Sequence, residues 1–298
     1  MSESTPDFRS YYGRPVLKEP VWKWQIPFYL FFGGLAGATA GLTFTARRRG
    51  LHSLATWSNV VNLAAVAVSP PLLIADLGRP ARFLNMLRVL KITSPMNLGT
   101  WIITASGIAS ASSLSAEVLG LRRVQTGAEG VAAALGPFLS TYTAVLVADT
   151  AVPVWHAARR ELPFVFAGGS AASAGAATGI VTKSSEAGPA RRLALGGAVL
   201  QLAATELMER RLGMLGELYH AGEAGRYARW SKRLTAAGAV VTAVAGGRRA
   251  GRVAGGALLL AGSLADRWAV FKAGFESAGD PKYTIVPQRE RLRSAADR

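Results

Sequence analysis

Asp76-Leu77-Gly78-Arg79-Pro80-Ala81-Arg82-Phe83, running on through Arg88 and Lys91 to Ser94-Pro95-Met96-Asn97, is the stretch whose reading decides the fold. It holds one acid, four bases and two prolines between two apolar runs. Neither residues 54–75 nor residues 92–116 contain an Asp, Glu, Lys or Arg. An uncharged run of ~20 residues is what a helix needs to cross a ~30 Å hydrocarbon core. The stretch therefore reads as a polar hairpin, residues 76–96, joining two membrane spans.

The same pattern repeats along the chain. Half of the 298 residues are hydrophobic, only 17% are charged, and glycine occurs 33 times. The expected fold class is all-α, a polytopic transmembrane helix bundle of about eight spans. A polar amino-terminal tail (1–23), a bundle (24–273) and a polar carboxy-terminal tail (274–298) make up the expected organisation. The spans are expected at about 24–46, 54–75, 97–119, 128–156, 162–182, from 193, 234–247 and 253–271, with a polar segment at 213–230. Pro70-Pro71 should kink or unwind the end of the second span.

The net charge of +16 does not point to nucleic acid, because the bases lie in the breaks between apolar runs and in the tails. Loop bases of this kind orient spans and touch anionic lipid. Their distribution over both sides does not decide the orientation. The absence of cysteine excludes disulfides and cysteine-ligated zinc or iron–sulfur sites within the chain. Three histidines, at 52, 156 and 220, offer no evident haem pair, and no nucleotide-binding loop is present. No metal site is expected.

Ionisable residues inside a membrane are costly and mark candidate function. Tyr142, Asp149 and His156 follow one another at intervals of seven on the fourth span, which is expected to place them on nearly one face, ~10 Å apart in rise. Tyr, Asp and His can hydrogen-bond a carbonyl or pass a proton. Pro153 between the last two should open the backbone. Glu206 and Glu209 near the sixth span, with Asp76 and Arg79 at the hairpin, are expected to converge with them on the side that carries both tails. Gly33, Gly37 and Gly41 lie on one face of the first span, where they would let another backbone approach or leave room for a flat ring.

Four pieces together resemble the NrfD/polysulfide-reductase-type membrane subunits. They are the aromatic-then-glycine start from Trp24 to Gly41; the Asp76-Leu77-Gly78-Arg79-Pro80-x-Arg82-Phe83 hairpin with Ser94-Pro95-Met96; Tyr142-Thr143-Ala144-Val145-Leu146 followed by Pro153-Val154-Trp155 and Leu162-Pro163-Phe164; and the end of the last span with Asp280-Pro281. Ala144 stands where that family commonly has glycine.

The resemblance implies a multi-pass subunit of a prokaryotic plasma membrane with no redox cofactor of its own. It would bind a quinone, menaquinone or ubiquinone, and exchange electrons with a four-cluster ferredoxin-like iron–sulfur subunit. That subunit would serve a molybdopterin catalytic subunit, formate dehydrogenase-like or sulfur-compound reductase-like. On this reading Tyr142 hydrogen-bonds the quinone, while Asp149, His156, Asp76 and Glu206 carry protons. Arg79 stabilises quinol anion or pairs with Asp76, and Arg82, Arg88, Lys91 and Arg14 dock the partner. The alternatives are a secondary transporter or channel, or a purely structural anchor. A transporter should show an internal repeat between halves, and no shared motif is evident.

Overall fold

The computed structural model describes residues 17–79 and 81–287, so Arg14 lies outside the described residues. Eight helices of 20 residues or more dominate it: α1 (Gln25–Arg48), α2 (His52–Asp76), α4 (Pro95–Val118), α5 (Arg122–Ala148), α7 (Leu162–Val181), α8 (Gly188–Leu212), α9 (Gly222–Ala245) and α10 (Arg249–Gly279). Two short helices, α3 (Ala81–Arg88) and α6 (Pro153–Ala157), and a 3₁₀ turn at Gly213–Tyr219 lie between them. Helices α1, α2, α5, α7 and α10 are long and apolar enough to cross a membrane by length and composition. The other three are as long but more polar. Serine dilutes α4, and charges occupy the last turns of α8 and the first half of α9.

Consecutive long helices run antiparallel and sort into two packed units. Helices α1, α2, α4 and α5 form the first, α7 to α10 the second, and α1 and α7 pack across the seam. Glycine sets the closest crossings. A Cβ on Gly37 of α1 would lie 2.5 Å from the Gly136 carbonyl oxygen of α5, and one on Gly197 of α8 would lie 2.2 Å from the Ala172 nitrogen of α7. Side chains cannot fit there, so the backbones pack directly. Gly37 thus serves helix packing, while Gly41 faces open space.

Several sequence expectations change. The fourth span is not one helix from 128 to 156: α5 stops at Ala148, and α6 starts at Pro153. Proline lacks the N–H that would continue the helix and restricts the residue before it, so Val152 is extended. Conversely, α2 passes through Pro70-Pro71 and remains helical to Asp76. The expected polar segment at 213–230 is a 3₁₀ turn and the start of α9, which begins twelve residues earlier than the expected span. α10 is likewise longer than expected, at 31 residues.

Candidate functional site

The tail-side ends of α1, α2, α4 and α5 bring two phenols together. Tyr29 lies one turn into α1, and Tyr142 six residues before the end of α5. At 1.5 Å per residue this puts Tyr142 ~9 Å inside the tail-side end of its helix. Their hydroxyls are hydrogen-bonded to each other, and their rings meet edge to face with centroids 6.5 Å apart. Both are buried, Tyr29 at 1% and Tyr142 at 7% exposure. Gly99 of α4 lies flat against Tyr142: a Cβ there would sit 2.2 Å from the ring. The Ser69 hydroxyl of α2 donates to the Tyr29 carbonyl at 3.4 Å. Two apposed phenols can donate to a carbonyl and pass a proton between them.

The hairpin covers this end of the first unit. Asp76 ends α2 and accepts the Lys23 backbone N–H at 2.9 Å. No ion pair among the described residues joins Asp76 to Arg79, which is exposed. α3 has no buried residue and is held by Asn97. The Asn97 amide donates to the Met86 and Val89 carbonyls at 2.7 and 2.9 Å, and its oxygen accepts the Lys91 N–H at 2.7 Å. One buried side chain thereby satisfies the carbonyls that a short helix leaves open at its C-terminus. Ser94 caps α4, with Pro95 at its first position. Arg82, Arg88 and Lys91 are exposed around this clamp.

Asp149 and His156 do not share a helix face with Tyr142. Asp149 is the exposed C-cap residue of α5, its N–H donating to the Val145 carbonyl at 2.8 Å. His156 is exposed on α6 and lines a cleft of about 380 Å³ with Thr150, Leu215 and Tyr283. Partial burial raises the Tyr283 hydroxyl above its usual range.

Glu206 and Glu209 belong to a third group, in the second unit. Glu206 is exposed and paired with Arg210 at 2.8 Å and Lys232 at 3.5 Å. Glu209 is buried and meets Lys232 at 2.6 Å and His220 at 3.5 Å. The expected convergence therefore holds for the side of the molecule. As side-chain contact it fails, because the three groups remain separate among the described residues.

Sequence reasoning missed two features. One is Tyr29: nothing in spacing links positions 29 and 142, although Tyr29 lies within the aromatic start of the first span. The other is the Asp266–Arg267 pair in α10, buried at 3% and 1% exposure with 2.8 Å between charges. Arg267 also lies 3.8 Å over the Phe166 ring and donates to the Phe166 carbonyl at 2.9 Å. Two adjacent opposite charges inside an apolar run were the available signal. Nearby, burial pushes the Tyr219 hydroxyl well above its usual range, and the Asp266 and Glu209 carboxylates add to this.

Packed apolar helices with small-residue crossings and interior polar side chains define a polytopic helical integral membrane protein. The family described as polysulphide reductase, NrfD, matches residues 16–209, well over half of the chain. The chain belongs to that family, and membership suggests a membrane anchor subunit of molybdoenzyme complexes. No curated protein matches the chain. The matched region ends within α8, so α9 and α10 lie beyond it.

Proposed function

We propose that this chain is the quinone-reactive membrane anchor of a multi-subunit oxidoreductase, exchanging electrons with an iron–sulfur subunit that serves a molybdenum or tungsten catalytic subunit. The single observation that carries this reading is the buried Tyr29–Tyr142 hydroxyl pair, ~9 Å inside the tail-side end of α5 in a chain of the NrfD family.

Quinone reduction takes two electrons and two protons. The electrons come from the iron–sulfur partner, and the protein supplies hydrogen bonds to the carbonyls and a proton source. Tyr142 donates its hydroxyl hydrogen to the quinone carbonyl while accepting from the Tyr29 hydroxyl, which holds its orientation. Asp76, at the exposed end of the same unit, and Asp149 and His156, on the α5–α6 connection, exchange protons with water. Glu206 does so from the second unit. Asn97 holds α3 so that Arg82, Arg88 and Lys91 present a basic surface to the partner. A bound quinone would be the only redox group, with none ligated by this chain.

The test is quinone-linked turnover of the purified complex. Tyr142→Phe should leave assembly intact and slow turnover about tenfold, equivalent to ~1.4 kcal/mol of transition-state stabilisation. Unchanged turnover would favour a structural anchor. Charge reversal of Arg82, Arg88 and Lys91 together should release the iron–sulfur subunit, and retained co-purification would count against docking at the hairpin.

A further inference from the structure

The end of the first unit away from the tails carries positive charge that the fold does not use. Arg48 is the last residue of α1, and Arg122 and Arg123 open α5. The three line one groove of about 550 Å³, with Phe44, Thr126, Gly127 and Gly130. All three are exposed, and among the described residues none makes an ion pair or a side-chain hydrogen bond. The two carboxylates at this end, Glu117 and Glu129, are both engaged by Arg47, at 2.7 and 3.0 Å. The N-terminus of α5 stands at the same rim, with no acidic residue in its first turn and no side chain capping it, so its open N–H groups add to the positive field.

The same end of the second unit is different. There Arg252 donates to the Gly179 carbonyl at 3.0 Å, and Arg191 to the Ala243 carbonyl at 2.6 Å. Those carbonyls lie near the C-termini of α7 and α9, where a cation offsets the helix dipole. The guanidiniums of Arg48, Arg122 and Arg123 have no such structural employment.

The floor of their groove is apolar. The Arg48 guanidinium lies 5.1 Å over the Phe44 ring. A Cβ on Gly130 would lie 3.8 Å from that ring, and one on Gly127 would meet nothing within 4 Å, so the groove stays open. Val131 and Phe138 follow Gly127 on the same face of α5, at 53% and 59% exposure. A basic rim thus leads into an apolar track along the outside of the bundle. Like charges over a floor of low polarity focus a field that gathers anions. A free inorganic anion has no use for the track, whereas a lipid offers phosphate to the rim and chains to the track. Guanidinium binds phosphate through paired hydrogen bonds, and three of them match two phosphates better than one.

We propose that this groove is a binding site for an anionic phospholipid, with the two-phosphate lipid cardiolipin as its preferred occupant. The phosphates sit among Arg48, Arg122 and Arg123, and the chains run over Phe44 and past Val131 and Phe138. Basic pockets between membrane helices recognise such head groups by the same chemistry. The inference rests on the helical membrane fold and is independent of the quinone reading.

The experiment places the intact complex in nanodiscs of phosphatidylethanolamine with a trace of photoactivatable cardiolipin, and maps the crosslinks by mass spectrometry. In the wild-type complex, label should fall on residues 44–48 and 122–138. Unlabelled cardiolipin should displace it, phosphatidylglycerol should do so less well, and inorganic phosphate or pyrophosphate should not. Each arginine should contribute about fivefold, so Arg48→Gln, Arg122→Gln and Arg123→Gln together should weaken binding about a hundredfold. Arg248→Gln with Arg249→Gln removes exposed charge at the same end of the second unit and should leave the label in place. Wild-type label that is absent from this groove, or spread evenly over the bundle, would overturn the inference whatever the variants do. Displacement by pyrophosphate would make this a site for simple anions and overturn the lipid assignment. Equal displacement by phosphatidylglycerol would overturn the preference for two phosphates. Equal loss of label in the Arg248 and Arg249 variant would reduce the effect to bulk charge and overturn the site.

Discussion

The two four-helix units of this molecule both bury neutral polar groups but differ in where they bury charge. In the first, α1, α2, α4 and α5 carry neutral hydroxyls, amides and phenols through the interior, and among the described residues their ion pairs gather at the end where Arg47 meets Glu117 and Glu129. In the second, α7 to α10 bury a complete ion pair, Asp266–Arg267, beside neutral groups such as Gln201, Ser231 and Ser263. Neutral groups can exchange partners at little cost, which is what the proposed quinone site would require. A buried ion pair resists rearrangement, because separating it strands a charge in a medium of low polarity. On the proposed function the first unit hosts the quinone, and the ion pair of the second is structural.

That contrast can be broken most severely at Arg267. Arg267→Leu leaves Asp266 buried without its partner and should destabilise the chain by about 3–5 kcal/mol, measured by thermal unfolding in detergent. Adding Asp266→Leu should restore most of the loss. Rescue would show the pair to be structural, whereas persistent loss of turnover in a stable double variant would give the second unit a share of the chemistry.

Next comes Gly197→Val, which drives a side chain into the Ala172 backbone and should cost about 1–3 kcal/mol in the same assay, with α7 and α8 separating. The Tyr142→Phe variant removes one hydroxyl and should cost about 1 kcal/mol of stability or less, against an approximately tenfold loss of turnover. A variant that lost stability and turnover in proportion would mark Tyr142 as a packing residue.

Asn97→Leu frees the end of α3. The local loss should be about 1 kcal/mol, seen as faster hydrogen exchange over residues 81–92 with the bundle unchanged. Smallest of all, Asp149→Asn at an exposed helix end should change stability by less than about 0.5 kcal/mol. Any loss of turnover there would come from proton exchange with solvent and should be relieved by concentrated buffer.

The charge pattern made the helical membrane fold legible, because hydrocarbon permits so few solutions. Ser94-Pro95 and Leu162-Pro163 carry a helix-start signal, since proline is tolerated where the N–H has no partner anyway. Pro153 carried the same signal, yet the seven-residue spacing of Tyr142, Asp149 and His156 overrode it. Periodicity means nothing across a break in the helix. The lengths of α9 and α10 were hidden because their tail-side halves hold charges that face neighbours and not lipid, as Lys232 and Lys272 do in pairing with Glu209 and Glu223. Tyr142 could be singled out from its surroundings in sequence. Its partner Tyr29 could not, since a contact between helices 113 residues apart leaves no local trace.

The most direct test of the account is to photolabel the intact complex with an azido-substituted quinone and map the modified peptides by mass spectrometry. Label should fall on α1 and α5 around Tyr29 and Tyr142, compete with unmodified quinone, and decline in Tyr142→Phe. Label confined to α9 and α10, around the aromatic cleft formed by Trp268, Phe271 and Phe275 with Trp22, would place the quinone in the second unit and contradict it.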